Sequence, residues 1–315
     1  MNAARGGGGE WARKDERGNR GWLRFAIWLY RNFGRTGLAL VLVPISLYFI
    51  VRDPVTRRSS REWLATATGR KPSYATVFRH VYTFACSVMD RMILWAGGGA
   101  MFKIDHTGGE ALLELARQGR GALLVGAHLG SFDMLRLIAG QYGLRVNVLM
   151  FTNHAERVNA LFDSLGEGNR VRVIAADPAS VQSAFAIKAC LDRGEFVGIL
   201  ADRVHPGGRE RPAATLFAGR RAAFPLTPFL LGVVLGAPVF ISLCIGTGPL
   251  RYFAVTEPLF DGGPVPRTER DKVARETLEA WVRRLEHYAL ASPLQWFNFY
   301  DFYGDGLRAL GEKPE

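Results

Sequence analysis

Short apolar runs alternate with longer amphipathic segments over most of the chain. Runs of strand length lie at residues 121–127, 145–151, 171–175, 195–201, 238–245 and 251–256. Segments of helical length lie between and after them, at residues 131–142, 154–165, 177–193, 225–236 and 267–290. Strands joined by helices of this length form right-handed crossovers in a largely parallel sheet. The pattern predicts an α/β fold: one domain, residues 56–305, with a mostly parallel central sheet flanked by helices, followed by a short tail, residues 306–315.

Two further helices are expected before this alternation begins. Ser73 is a suitable N-cap for a helix that runs from Tyr74 to Trp95, where the glycines at 97–99 end it. Thr107 and Glu110 have the spacing of a capping box, which predicts a short helix that ends near Gln118.

The N-terminal part of the chain has a different pattern. Residues 1–20 hold a glycine run and scattered charges, which is typical of a disordered tail. On a helix, one face of the next segment would be apolar (Trp22, Phe25, Ala26, Leu29 and Phe33) and the opposite face basic (Arg24, Arg31 and Arg35). Such a helix is suited to the headgroup layer of a membrane, and the alternative is an ordinary surface helix docked on the core.

An uncharged run at residues 37–51 follows this helix. It is shorter than the roughly 20 residues that cross a bilayer perpendicularly, and Pro44 is expected to kink it. We therefore expect residues 21–55 to form a hydrophobic, membrane-associated helical segment, as a shallow anchor or a tilted span. Arginines on both sides of the run give no orientation.

The charge balance narrows the class of partner. Lys and Arg number 40 against 29 Asp and Glu, a net charge of +11. This excess favours an anionic partner, which includes lipid headgroups, an acidic carrier protein, a nucleotide or a nucleic acid. No nucleic-acid motif is present, and the histidines at 106, 154, 205 and 287 lack metal-ligand spacing, so neither a nucleic acid nor a metal or other cofactor is expected.

The most informative segment runs from Gly121 to Arg136. His128 follows a buried strand, and Asp133 stands five positions later in the first turn of a helix. Ligands bind at the carboxyl edge of open α/β sheets, and a histidine there can transfer protons near neutral pH. In a tight turn Asp133 could orient the imidazole. The alternative is a structural histidine in a strand–helix turn, because the spacing alone has little specificity.

Further candidates follow the strand at 195–201. Asp202 and Arg203 end that strand, which places them at the same sheet edge as His128. Arg203 could hold a phosphate or stabilise an oxyanion, or form a surface salt bridge instead. A loop at 205–212 and the residues after it supply Arg209, Arg211, Arg220 and Arg221 to a basic rim, which could bind an anionic substrate or be a solvated charge run.

The segment around His128 resembles the HX4D motif of the lysophospholipid acyltransferase superfamily, in particular its lauroyl/myristoyl lipid A acyltransferase branch. Other segments match that branch in order: Glu195–Arg203, Leu216–Gly219, Thr227-Pro228, Gly236–Val239 and Gln295–Phe297. The similarity covers roughly residues 20–303. Members of the branch usually carry Glu where this chain has Asp133, so the resemblance concerns acyl transfer more than a lipid A acceptor.

The resemblance implies a mechanism and partners. His128 would take a proton from a hydroxyl or amine of a lipid acceptor as it attacks an acyl thioester, and Asp133 would orient His128. The donor would be acyl carrier protein or acyl-CoA, and the enzyme would act at the cytoplasmic face of the inner membrane. Asp202, Arg203, Arg209, Arg211 and Arg220 would bind substrate.

Two other function classes remain open on the residues alone. A membrane-bound glycosyl or nucleotidyl transferase would use the same sheet edge, but the chain lacks a phosphate-binding glycine loop and a DxD site within the sheet region. A non-enzymatic basic membrane-binding module would lose nothing when His128 is replaced by alanine, whereas an acyltransferase would lose turnover.

Overall fold

The computed structural model describes residues 20–95, 97–150, 173–175, 180–204 and 211–312, with side chains from residue 32 onward except those of Met150, Val173 and Ala175. The helices are α1 (Arg20–Arg52), α2 (Pro54–Thr68), α3 (Tyr74–Trp95), α4 (Glu110–Arg117), α5 (Phe132–Gln141), α6 (Val181–Asp192), α7 (Thr227–Leu235), α8 (Arg270–Ala291) and α9 (Phe302–Ala309). The strands are β1 (Lys103–Thr107), β2 (Leu123–Gly126), β3 (Val146–Met150), β4 (Val173–Ala175), β5 (Phe196–Leu200), β6 (Pro212–Phe217), β7 (Arg220–Pro225), β8 (Val239–Gly248) and β9 (Arg251–Phe260).

In the part of the chain that the structure describes, seven strands form one sheet in the order β1-β9-β8-β2-β5-β3-β4. Neighbouring strands are parallel except β8 and β9, which form an antiparallel pair. The predicted mostly parallel sheet flanked by helices is confirmed, and β2 lies between β8 and β5 near its centre. The carboxyl ends of β2 and β5 are therefore adjacent, which brings the residues that follow the two strands close together.

The central strands are buried because helices cover the sheet. All four residues of β2 are buried, as the uniformly apolar sequence of that strand requires. The Trp281 indole, on α8, is fully buried and donates a hydrogen bond to the Val125 carbonyl at 3.0 Å. A second apolar cluster joins α1 and α3 to the sheet, through Leu38, Met89 and Tyr252.

The apolar helix α1 is attached to the domain by a buried charge network. The Arg35 guanidinium donates to both oxygens of Asp90, at 3.0 and 3.3 Å, and the Tyr252 hydroxyl donates to the same carboxylate at 2.9 Å. Within α1 the backbone leaves helical geometry at Gly34 rather than at Pro44. Residues Asn32–Arg52 are long and apolar enough to cross a membrane, by length and composition.

Several local predictions are confirmed and others are wrong. The Ser73 hydroxyl accepts a hydrogen bond from the Thr76 amide, and the helix after it has the predicted bounds Tyr74–Trp95. The capping box is absent, because Thr107 belongs to β1 and α4 begins after Gly109 without a side-chain cap. Sequence analysis also missed α2, β1, the antiparallel β6–β7 pair and α9, the last of which continues past residue 305.

Some predictions lie outside the described residues. These are the tail at 1–19, the helix at 154–165, the start of the helix at 177–193 and the loop that holds Arg209. The two faces expected for residues 22–31 concern side chains that are likewise not described.

Candidate active site

A tight turn places His128 at the carboxyl end of β2. Gly130, with φ of 69°, lets the chain reverse direction before α5 begins. A Cβ atom at Gly130 would lie 2.1 Å from the Cys244 carbonyl oxygen, so only glycine fits. The Ser131 amide donates to the same carbonyl at 2.8 Å, which fastens the turn to β8.

The carboxylate that contacts His128 is Asp202, at the end of β5. The Nδ1 atom of His128 lies 2.9 and 3.1 Å from the two Asp202 oxygens. Asp202 is completely buried, whereas the His128 side chain is 30% exposed. Because a carboxylate is an acceptor, Nδ1 carries the proton and Nε2 presents a lone pair.

The expected contact between His128 and Asp133 is absent from the hydrogen bonds of the described residues. Asp133 lies in the first turn of α5, with one oxygen 3.5 Å from Arg136 Nη1 and the other 3.8 Å from Arg91 Nη1. Its carboxylate therefore faces α3 and its own helix, and the contact expected for it is made by Asp202.

The surroundings favour a neutral imidazole beside a charged carboxylate. Burial lowers the pKa of His128, the positive charge of Arg203 lowers it further, and Asp202 opposes both. Burial by itself would raise the pKa of Asp202, but His128, Arg203 and Asn298 outweigh it and hold that pKa at about 2. At neutral pH the pair is therefore a neutral histidine and an aspartate anion, the arrangement of a general base with its orienting group.

Asn298 completes the surroundings of Asp202. Its Nδ2 donates to Asp202 Oδ2 at 2.7 Å, and its Oδ1 accepts from Arg203 Nε at 2.8 Å. Sequence analysis recognised the neighbouring residues 295–297 but missed Asn298. The signal available was a polar residue within a dense aromatic run.

The basic residues expected at this edge lie in different parts of the fold. Arg203 lies beside Asp202 and donates to the Phe297 carbonyl at 3.2 Å. Arg220 pairs with Glu62 of α2 at 2.7 Å, and Arg211 pairs with Asp271 of α8 at 2.8 Å. Neither pair connects to His128 within the described residues. Substrate binding by these arginines stays a prediction.

An apolar cavity of about 120 Å³ lies on one face of the sheet, between α4 and α5. Its lining includes Leu124, Phe132, Leu135 and Phe196, and also the exposed Tyr142, which directly follows α5. The Phe132 ring lies against Gly126 and Gly198, where a Cβ would be 2.9 and 2.5 Å from ring carbons. His128 does not line the cavity. Phe132, which directly follows the turn that holds His128, does line it.

Comparison with known proteins assigns the chain to a family. No curated protein matches its sequence. A family model described as bacterial lipid A biosynthesis acyltransferase matches residues 80–262, more than half of the chain, which includes the whole His128 turn and Asp202. This match favours acyl transfer over the glycosyl transferase and non-enzymatic alternatives. The chain belongs to the bacterial lipid A biosynthesis acyltransferase family.

Proposed function

We propose that this protein is a membrane-associated acyltransferase that moves a fatty acyl chain from a thioester to a hydroxyl or amine of a lipid acceptor. His128 is the general base of this reaction, and Asp202 orients it. The observation that carries the proposal is the hydrogen bond between His128 Nδ1 and Asp202 at the carboxyl ends of two adjacent parallel strands. Family membership supports acyl transfer and lipid biosynthesis.

The proposed reaction needs one base. His128 Nε2 removes the proton of the acceptor O–H or N–H as the oxygen or nitrogen forms a bond to the thioester carbon. The C–S bond then breaks, and the imidazolium returns its proton to the departing thiolate. Asp202 stabilises the imidazolium while it exists and fixes the Nδ1–H tautomer before and after.

Asp133 has a supporting role in this proposal. Its carboxylate lies between Arg91 of α3 and Arg136 of α5, so it balances positive charge beside the turn. Arg91 is among the cations that lower the pKa of His128. Loss of Asp133 would therefore change the environment of the base without removing its orienting group.

The donor and the location are further parts of the proposal. The donor is an acyl thioester of acyl carrier protein or coenzyme A, whose anionic groups suit the net charge of +11. The apolar cavity beside Phe132 is suited to part of the acyl chain, since it is slightly smaller than the cavities of about 150 Å³ that hold benzene, a ring of six carbons. We propose the cytoplasmic face of the inner membrane, where such thioesters are available.

The decisive experiment is lipid profiling by mass spectrometry of cells with the gene, without it, and with His128→Ala. We expect an acylated lipid to disappear on deletion and to return with the wild-type chain only. Membrane fractionation must show equal amounts of the variant in the membrane. A His128→Ala chain that restores the lipid would contradict the proposal.

A further inference from the structure

The segment after α8 runs beside the His128 turn. The Phe297 amide donates to the His128 carbonyl at 2.7 Å, and the Gly130 amide donates to the Gln295 carbonyl at 3.0 Å. These two bonds hold the C-terminal segment against the turn on both sides of Leu129. The next residue along the segment is Asn298, so its position is set by the same backbone that supports His128.

The Asn298 amide connects the two charged groups behind His128. It donates to Asp202 Oδ2 at 2.7 Å while it accepts from Arg203 Nε at 2.8 Å. Asn298 is 2% exposed and Asp202 is 0% exposed, so water does not compete for these bonds. A primary amide is suited to this place, since it has a donor and an acceptor on one planar head.

We propose that Asn298 is a positioning residue for the reaction, because it holds the Asp202 carboxylate in the orientation that receives the Nδ1 proton of His128. This inference rests on the proposed function. Without Asn298, one oxygen of a buried carboxylate loses a donor, and Arg203 loses its acceptor on the same side chain. Within the part of the chain that the structure describes, His128 is then the remaining hydrogen-bond partner of the carboxylate.

The charged groups that face His128 determine how a substitution at Asn298 changes the pKa of His128. They are Asp202 and Arg203, which follow β5, and Arg91 on α3. The Asn298 donor holds one Asp202 oxygen in place, so that the carboxylate faces Nδ1. When that donor is removed, the carboxylate turns away and stabilises the imidazolium less, so the pKa of His128 falls further.

The other end of β5 offers a matched control. Asn147 Nδ2 donates to Glu195 Oε2 at 2.9 Å, and Asn147 is 5% exposed. Glu195 directly precedes the first residue of β5, whereas Asp202 lies two residues after the last. Asn147→Leu therefore removes the same kind of buried amide–carboxylate bond from the same sheet, but at the edge opposite to His128.

The experiment compares Asn298→Leu and Asn147→Leu with the wild type. Turnover is followed as release of free thiol from lauroyl-acyl carrier protein or lauroyl-coenzyme A in the presence of a total lipid extract. For Asn298→Leu we expect kcat to fall at least tenfold and the acid limb of the kcat/KM profile to move to lower pH. Asn147→Leu is expected to retain the wild-type acid limb and to lose thermal stability only.

Two further variants keep the inference open to refutation. Asn298→Ala removes the same donor with less volume and replaces Asn298→Leu if that chain does not fold. His128→Ala in the same assay separates the two proposals. If it keeps turnover, the proposed function fails. If it is inactive while both Asn298 variants behave like Asn147→Leu, with an unmoved acid limb, only the positioning role is overturned.

Discussion

At the residue scale, the two nitrogens of the His128 ring have different surroundings. Nδ1 faces a completely buried carboxylate, whereas Nε2 belongs to a side chain that is 30% exposed, and Nε2 has no hydrogen-bond partner among the described residues. Of the two carboxylates considered for this ring, Asp202 contacts Nδ1, whereas Asp133 contacts Arg136 instead. Each role can be tested by removing one charge without changing shape.

Asp202→Asn should lower kcat by about 10³-fold, because the amide cannot both accept from Nδ1–H and stabilise the imidazolium. Asp133→Asn is the matched variant, and we expect less than about a tenfold loss, since Asp133 contacts Arg91 and Arg136 only at 3.5–3.8 Å. Thiol release from an acyl thioester measures both. Equal losses, or a larger loss for Asp133→Asn, would contradict the assignment of Asp202 as the orienting group.

The pH dependence follows from the direction of the His128 shift. Burial and Arg203 lower the pKa of His128 below its ordinary 6.5, so more than half of the base is neutral at pH 6.5. Protonation abolishes the lone pair on Nε2, so activity is lost as the pH falls through this lowered value. The kcat/KM profile, which reports the free enzyme, should therefore have its acid-side half-maximal point below pH 6.5. A half-maximal pH at or above 6.5 would refute this.

At the element scale, the turn between β2 and α5 determines where His128 lies. Gly130 and Gly143 adopt nearly the same backbone conformation, with φ of 69° and 71°. A Cβ at Gly130 would meet the Cys244 carbonyl oxygen at 2.1 Å, whereas one at Gly143 would have nothing within 4 Å. The pair therefore separates the conformational cost of alanine from the cost of displacing β8.

Gly143→Ala should lower the free energy of unfolding by about 1 kcal/mol, the usual cost of left-handed backbone for alanine. Gly130→Ala adds a backbone clash, so we expect a loss of about 2–5 kcal/mol and reduced activity, since the displaced turn carries His128. Denaturant unfolding in detergent, with turnover measured in parallel, gives both numbers. Equal losses for the two variants would show that β8 moves away freely.

The elements predicted from sequence are those whose signals are local. The helix Tyr74–Trp95 was predicted at both ends because Ser73 caps it and glycine ends it. The apparent capping box at Thr107 misled the prediction, because Thr107 pairs with Val255 on β9 in a parallel ladder. That pairing joins segments about 150 residues apart, and no local propensity encodes it.

The site could be predicted only in part, because some of its contacts join residues that are far apart in the sequence. Placing His128, Asp202 and Arg203 at one sheet edge needed only the order of strands and helices, and these residues do lie together. The choice between Asp133 and Asp202 could not come from spacing, because Asp202 is 74 residues from His128. The Asn298 contact with Asp202 spans 96 residues and depends on how the C-terminal segment packs.

At the scale of the whole molecule, the C-terminal segment is where separate parts of the fold meet. The His80 ring, on α3, lies 2.9 Å from the Ser60 hydroxyl of α2 and 2.9 Å from the Trp296 carbonyl. That carbonyl belongs to the residue before Phe297, whose amide binds His128. The packing of α2 and α3 therefore supports the segment that holds the site, through this one buried imidazole.

His80 makes the stability of the fold sensitive to acid. Because Nε2 faces a carbonyl, it carries the proton, and the buried ring is neutral with its pKa lowered by burial to about 4. Between pH 6.5 and 4 the unfolded chain therefore binds a proton that the folded chain excludes. The free energy of unfolding should fall as the pH falls through this window, with about 1.4 kcal/mol lost per pH unit and about 3 kcal/mol in total from this group.

His80→Gln keeps a neutral donor and acceptor in the same place but cannot take up a proton. Its free energy of unfolding should therefore depend less on pH between 6.5 and 4 than that of the wild type. The difference in slope is about 1.4 kcal/mol per pH unit, the value for one proton. His287→Gln is the control, because His287 is exposed on α8 and its loss leaves the buried ring in place. If His80→Gln and the wild type have parallel profiles in denaturant unfolding between pH 4 and 7, another group causes the acid sensitivity, since the only change between the two chains in that window is the proton at His80.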